Sequence, residues 1–240
     1  MRSYISNSEL EELGETIVSA YLCKKGLHDT NCLDIEGLVT EYLGLNIEYE
    51  TFAEDDPNKI AYLSNGKRPI RVYRDGEVKE MLYPKGTAVL EKVLLYENES
   101  SRRRFTLGHE GAHSIIAKQN PMQDVGCFYS EFDPERVYTY DERKELMSFS
   151  ELQANRLASV FLMPRFILQK VMKKFECEKG LPIYGWNVFA PKDKIKLRNI
   201  ADCMGFSYQA LVIRLKTLGL LIPHDLTEYL ENDLQLGGEL

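Results

Sequence analysis

His109-Glu110-Gly111-Ala112-His113 is the stretch of this 240-residue chain whose residue types and spacing can do chemistry. Two histidines four apart on a helix lie on one face, with a rise of about 6 Å between them. From there both imidazoles reach a single metal ion at about 2.0–2.1 Å per nitrogen. Glu110 directly follows the first histidine, which sets its carboxylate beside the ion, where it can take a proton from a water that the metal activates. The chain has only four histidines, and two of them fall in this HExxH motif. The chemistry implied is metal-assisted hydrolysis with Glu110 as general base.

A hydrolytic zinc site has three protein ligands and one open position. The third ligand must come from outside the motif, because no HExxHxxGxxH extension follows His113. Glu142, Glu145 and Glu151 are the carboxylates offered by the next long helix, and spacing does not choose among them. Tyr129, Tyr138, Tyr140 and His224 are candidate donors to an oxyanion.

These residues need a frame. Leu10, Leu13, Ile17, Ala20 and Tyr21 recur at helical spacing over 8–25, with Ser8 as N-cap. Asp34 and Gly44 bracket a short helix over 34–43. Leu45, Ile47 and Tyr49 then alternate with polar residues, the pattern of a half-buried strand. Short apolar pieces follow at Ile60–Leu63, Ile70–Tyr73 and Val78–Tyr83, the last two joined by the hairpin turn Asp75-Gly76. Thr87–Leu95 reads as a further strand, expected to border the cleft and pair with an extended substrate. The motif helix spans 101–118, capped by Ser100 or Ser101; its basic run Arg102–Arg104 sits in the first turn, where the dipole disfavours cations, and reads first as a solvated face with one arginine packed by its stem, with a carboxylate or phosphate partner as the alternative. Residues 119–140 are irregular and aromatic, a second long helix over 142–163 ends at Pro164, and another helix covers 165–175. Gly180, Pro182, Gly185 and Pro191 mark 180–192 as a linker, and two helices split at Gly205 close the chain.

Two segments together carry a family likeness. RRRFTLGHEGAH (Arg102–His113) and ELQANRLASVFLMP (Glu151–Pro164) resemble the ImmA/IrrE family of zinc metallopeptidases, whose pattern pairs an HExxH helix with ExxANxxAxxxLMP. The resemblance implies one Zn2+ per chain, held by His109, His113 and Glu151, the glutamate that opens ExxAN. Family members often carry a second acidic residue just before AN; here that position is Gln153, which favours Glu151 as the ligand. Asn155, four residues on, is the candidate to orient a zinc histidine or the ligand carboxylate. Ala154 and Ala158 are small enough to let the two helices approach until both reach one ion. The fold implied is α+β: a small antiparallel or mixed sheet packed on a helical zincin-like core, with a C-terminal helical hairpin. The domains expected are a metallopeptidase domain over 1–190 and a helix-turn-helix-like segment over 191–240. Within the first, helices and sheet occupy 1–97 and the two motif helices 98–176. The substrate implied is a helix-turn-helix repressor, cleaved to release stress or mobile-element genes in a bacterium or phage. The alternative is a regulatory protein or DNA-binding module that keeps the fold without proteolysis.

Composition sets the remaining bounds. A net charge of −7 does not point to nucleic acid as the main partner. Between Lys192 and Lys216, however, six basic residues face two acidic ones, a local charge of +4. Direct DNA contact by this tail is the weaker expectation, and a structural or partner-docking role the stronger. The opening MRSYISNSELEELGE turns charged before an apolar core can form, and no apolar stretch approaches the length of a membrane span. A cytoplasmic protein without membrane contact is expected, its five scattered cysteines being free thiols.

Overall fold

The computed structural model describes residues 5–56, 58–119, 127–130 and 148–232. The chain divides into two compact units, one of residues 1–28 and 34–164, the other of 29–33 and 165–240. Among the described residues no helix is long and apolar enough to cross a membrane.

The first unit is α+β. Helix α1 (Asn7–Lys25) is capped by Ser6 rather than Ser8. Ser6 and Glu9 form a capping box, in which the Ser6 side chain accepts from the Glu9 N–H and the Glu9 carboxylate accepts from the Ser6 N–H at 2.8 Å. Asp34 caps the short turn α2 (Ile35–Gly37) as expected, but the helix then widens into a single π turn over Leu38–Tyr42. The sheet follows: β1 (Asn46–Phe52), β2 (Lys59–Leu63), β3 (Ile70–Arg74), β4 (Glu77–Met81), β5 (Thr87–Glu91) and β6 (Cys127–Ser130). Their order is β4-β3-β1-β5-β2-β6, with β1 and β5 parallel and every other pair antiparallel. Asp75 and Gly76 both take positive φ (56° and 80°), as a two-residue hairpin of this hand requires.

Strand β5 corrects the expectation placed on it. It lies inside the sheet, hydrogen-bonded to β1 on one side and β2 on the other, so neither edge is open to a substrate. It also ends at Glu91, and Lys92–Leu95 form a 3₁₀ turn. Among the described residues the outer strand on this side is β6. Tyr62, Ile70, Val72, Tyr83 and Val89 form a buried cluster, with Phe52, Met81 and Phe128 packed on it. Ala61, Ala88 and Leu90, fully buried, alternate to the opposite face, where the motif helix contacts β2 and β5.

That helix, α3 (Ser100–Gln119), follows a 3₁₀ turn at Glu97–Glu99, and Arg102 bonds to the Glu99 carboxylate at 3.2 Å. Helix α4 (Phe149–Leu162) begins later than its sequence pattern suggests, because Ser148 has extended backbone and caps it through the Glu151 N–H. The expected start at 142 lies outside the described residues. Small residues bring the helices together. A Cβ added at Gly108 would sit 3.6 Å from Ala158 Cβ, one at Gly111 would sit 3.1 Å from Val39 Cγ2, and one at Gly14 would fall 2.8 Å from Val160 Cβ. Ala112, Ala154 and Ala158 are fully buried.

The second unit holds α5 (Arg165–Lys174), β7 (Leu181–Tyr184), α6 (Pro191–Met204), α7 (Tyr208–Thr217), β8 (Leu221–His224) and α8 (Leu226–Asn232). The stretch read as a linker over 180–192 contains β7, which pairs in parallel with β8. Its partner lies about forty positions downstream, beyond the reach of any local pattern. Gly180, at φ +111°, permits the close approach, since a Cβ there would lie 2.7 Å from the Leu220 carbonyl oxygen. The helical hairpin is as expected: Gly205 stops α6 in the left-handed region, and the Ser207 side chain caps α7 through the Ala210 N–H at 3.2 Å. Residues 29–33 are tied in by Lys170 Nζ to Asp29 (2.7 Å) and Lys174 Nζ to Asn31 (2.9 Å).

Candidate metal centre

The motif helix α3 presents His109 and His113 one turn apart, and the first turn of α4 presents Glu151. Their donor atoms converge. His109 Nε2 lies 3.2 Å from Glu151 Oε2, His113 Nε2 lies 3.1 Å from Glu151 Oε1, and the two Nε2 atoms are 2.9 Å apart. Two ligands at tetrahedral angles around a zinc ion, each at its usual bond length, would be about 3.3 Å apart. The donor set therefore has the chemistry and nearly the spacing of a zinc site, and all three donors lie within 4.8 Å of one another.

Asn155, one turn beyond Glu151, completes the constellation. Its Oδ1 lies 3.0 Å from His109 Nδ1. An amide oxygen only accepts, so His109 carries its proton on Nδ1 and Nε2 keeps its lone pair toward the other donors. Of the partners considered for it from sequence, Asn155 bonds to the histidine.

The electrostatics separate the two carboxylates. Burial pushes Glu151 up, but its bonds to His109 and His113 overcome this and hold it down at about 2. Burial drives Glu110 up to about 8, against a downward pull from His113 that outweighs the smaller rise due to the charge on Glu151. Neither Glu110 oxygen has a hydrogen-bond partner among the described residues, although the residue is almost fully enclosed. Burial lowers His109 below the usual imidazole value; His113, nearer the surface, is raised by its bond to Glu151 despite partial burial.

The other candidates separate clearly. Tyr129, on β6, lays its ring on His109 with centroids 4.0 Å apart. His224 belongs to the second unit and bonds through Nδ1 to Glu228 at 2.8 Å. Tyr138, Tyr140, Glu142 and Glu145 lie outside the described residues. The Phe105 ring lies 6.4 Å from the His109 ring, centroid to centroid. Its place four residues before His109 was the signal that it shares that face.

No curated protein matches the chain. A family model does: the IrrE N-terminal-like domain, of the M78 peptidases, matches residues 67–216. The match runs from the turn before β3, through α3 and α4, into α7. Because it spans more than half of the sequence and takes in both helices that carry the converging donors, the chain belongs to the ImmA/IrrE family of metallopeptidases.

Proposed function

We propose that the protein is a zinc-dependent endopeptidase of the cytoplasm that cleaves a helix-turn-helix repressor and so relieves repression of stress or mobile-element genes. The observation that carries the reading is the convergence of His109, His113 and Glu151 beside a buried Glu110 whose oxygens have no partner among the described residues. Zinc bound by those three residues supplies a Lewis acid for the scissile carbonyl and acidifies a water. Glu110 accepts the proton of the attacking water on its carboxylate and returns it to the leaving nitrogen. Asn155 holds His109 in the tautomer that leaves Nε2 free. An extended substrate adds to the outer edge of β6, the sheet's end strand on this side among the described residues.

The test is digestion of a proteome-derived peptide library with the zinc-loaded chain, new termini being read by mass spectrometry. The parent generates zinc-dependent termini, and Glu110→Gln loses about 10²–10⁴-fold in rate while retaining zinc. Equal cleavage by Glu110→Gln, or none by the zinc-loaded parent, contradicts the reading.

A second reading, regulation through DNA contact without proteolysis, is favoured by one feature of the second unit. A cleft of about 410 Å3 is lined by Lys194, Arg198, Ser207, Tyr208 and Gln209, which sets two cations beside the capped start of α7. Salt-sensitive binding of the full chain to duplex DNA supports it, and its absence at low salt removes it.

A further inference from the structure

Strand β6 sends its residues to opposite faces of the sheet. Phe128 joins the sheet's apolar cluster, its ring 4.9 Å from Tyr62 and 5.6 Å from Phe52. Tyr129 turns the other way, onto His109, with centroids 4.0 Å apart and planes inclined by 36°. Aromatic pairs usually sit about 4.5–7 Å apart, so the two rings here are in close face contact. Phe105 lies 6.5 Å from Tyr129 and flanks the same imidazole. The His109 side chain has no exposed surface.

Ligation by Nε2 demands that the imidazole plane hold one orientation. Asn155 fixes the Nδ1 edge of the ring at 3.0 Å, but one hydrogen bond leaves the ring able to rock about the N–H···O line. A side chain pressed on the ring face removes that motion. Among the described residues Tyr129 is the aromatic side chain from outside the two helices that packs on that face, and it is delivered by a separate element.

We infer that Tyr129 is a positioning residue of the metal centre: its ring, rather than its hydroxyl, holds His109 in the orientation that ligation needs. The inference rests on the metal-binding reading given under Proposed function. It replaces the oxyanion role considered for Tyr129 from sequence with a role carried by the ring face.

Four full-length proteins test it: the parent, Tyr129→Phe, Tyr129→Leu and Phe128→Leu. Zinc affinity is measured by competition with a chromophoric chelator, at a temperature where melting curves show all four folded. The d–d spectrum of each Co2+-loaded protein reports the ligand geometry. Tyr129→Phe keeps the parent's affinity and spectrum. Tyr129→Leu loses about tenfold in zinc affinity, as removal of a group that orients a ligating histidine does, and its cobalt bands shift. Phe128→Leu empties the opposite face of the same strand; it lowers the melting temperature but leaves affinity and spectrum at the parent's values. Should Tyr129→Leu not fold, Tyr129→Met takes its place, keeping apolar bulk without a ring face.

Parent-like zinc affinity in Tyr129→Leu overturns the inference. So does an equal loss in Phe128→Leu, which would trace the effect to a loosened strand, or an equal loss in Tyr129→Phe, which would assign it to the hydroxyl. A parent that takes up no zinc overturns the metal reading itself, and the two failures are thereby told apart.

Discussion

Glu50 shows, at the scale of single residues, what a buried carboxylate needs in order to stay charged in this fold. It sits on β1 with 3% of its surface exposed, bonded to the Arg74 guanidinium and accepting from the Tyr83 hydroxyl at 2.8 Å. The Arg74 bond holds it below the usual carboxylate range against the opposing effect of burial. Glu110 has no such partner among the described residues and is pushed the other way, to about 8. A depressed carboxylate contributes stability above its unfolded pKa of about 4.3, and that contribution fades as pH falls through the lower folded value. Melting temperature in the parent therefore falls more steeply between about pH 5 and 3 than in Glu50→Gln. Identical slopes in the two proteins would show that the Arg74 pair does not couple to folding. Residues of this kind were only partly legible in the sequence. His109, Glu110 and His113 were readable because one helical turn relates them, and Glu151 because ExxAN marks it. The role proposed for Tyr129 was not, since 119–140 reads as irregular in the sequence and β6, at Cys127–Ser130, exists only through its pairing with β2.

Elements were legible where their signals are local. The Asp75-Gly76 hairpin and the Gly205–Ser207 break stand as expected, as does the motif helix apart from its start, where Ser100 already takes helical backbone instead of capping; turn residues and the 3.6-residue period act within a few positions. What sequence reading missed depends on distant partners. Parallel pairing places β5 beside β1, 41 residues apart in the paired register, and so makes it interior; β7 becomes a strand only through β8. Glycine at position 14 belongs to the same class, since nothing near it in sequence announces Val160. A Cβ at Gly14 would fall 2.8 Å from Val160 Cβ, on the side of α4 that α1 covers. Valine and glycine differ by only a few tenths of a kcal/mol in helix preference, so Gly14→Val isolates the crowding, and overpacking of this kind costs about 1–3 kcal/mol. Denaturant unfolding should show that loss; an unchanged midpoint would mean that the α1–α4 contact yields freely.

Taken whole, the molecule pairs a mixed-sheet unit that carries all three converging donors with a second unit built on a helical hairpin. The chain's acidic excess and the local positive charge of that hairpin were both legible from composition, and the −7 total describes neither unit alone. Zinc held by the folded first unit, as proposed, would stabilise it by mass action, about 2.7 kcal/mol at a free concentration one hundred times the dissociation constant. Calorimetry of the full chain should therefore show the transition of the first unit rising with zinc and falling on chelation, with the second unit's transition unmoved wherever the two are resolved. A zinc-induced rise in the second unit's transition alone would place the ion outside the His109–His113–Glu151 group.

The proposed activity stands most directly on the identity of those three ligands. Elemental analysis of the zinc-reconstituted, desalted chain, beside His113→Ala and Glu151→Ala, measures it. The account predicts about one zinc per chain in the parent and strong loss in both variants. No zinc in the reconstituted parent, or full retention in Glu151→Ala, would contradict it.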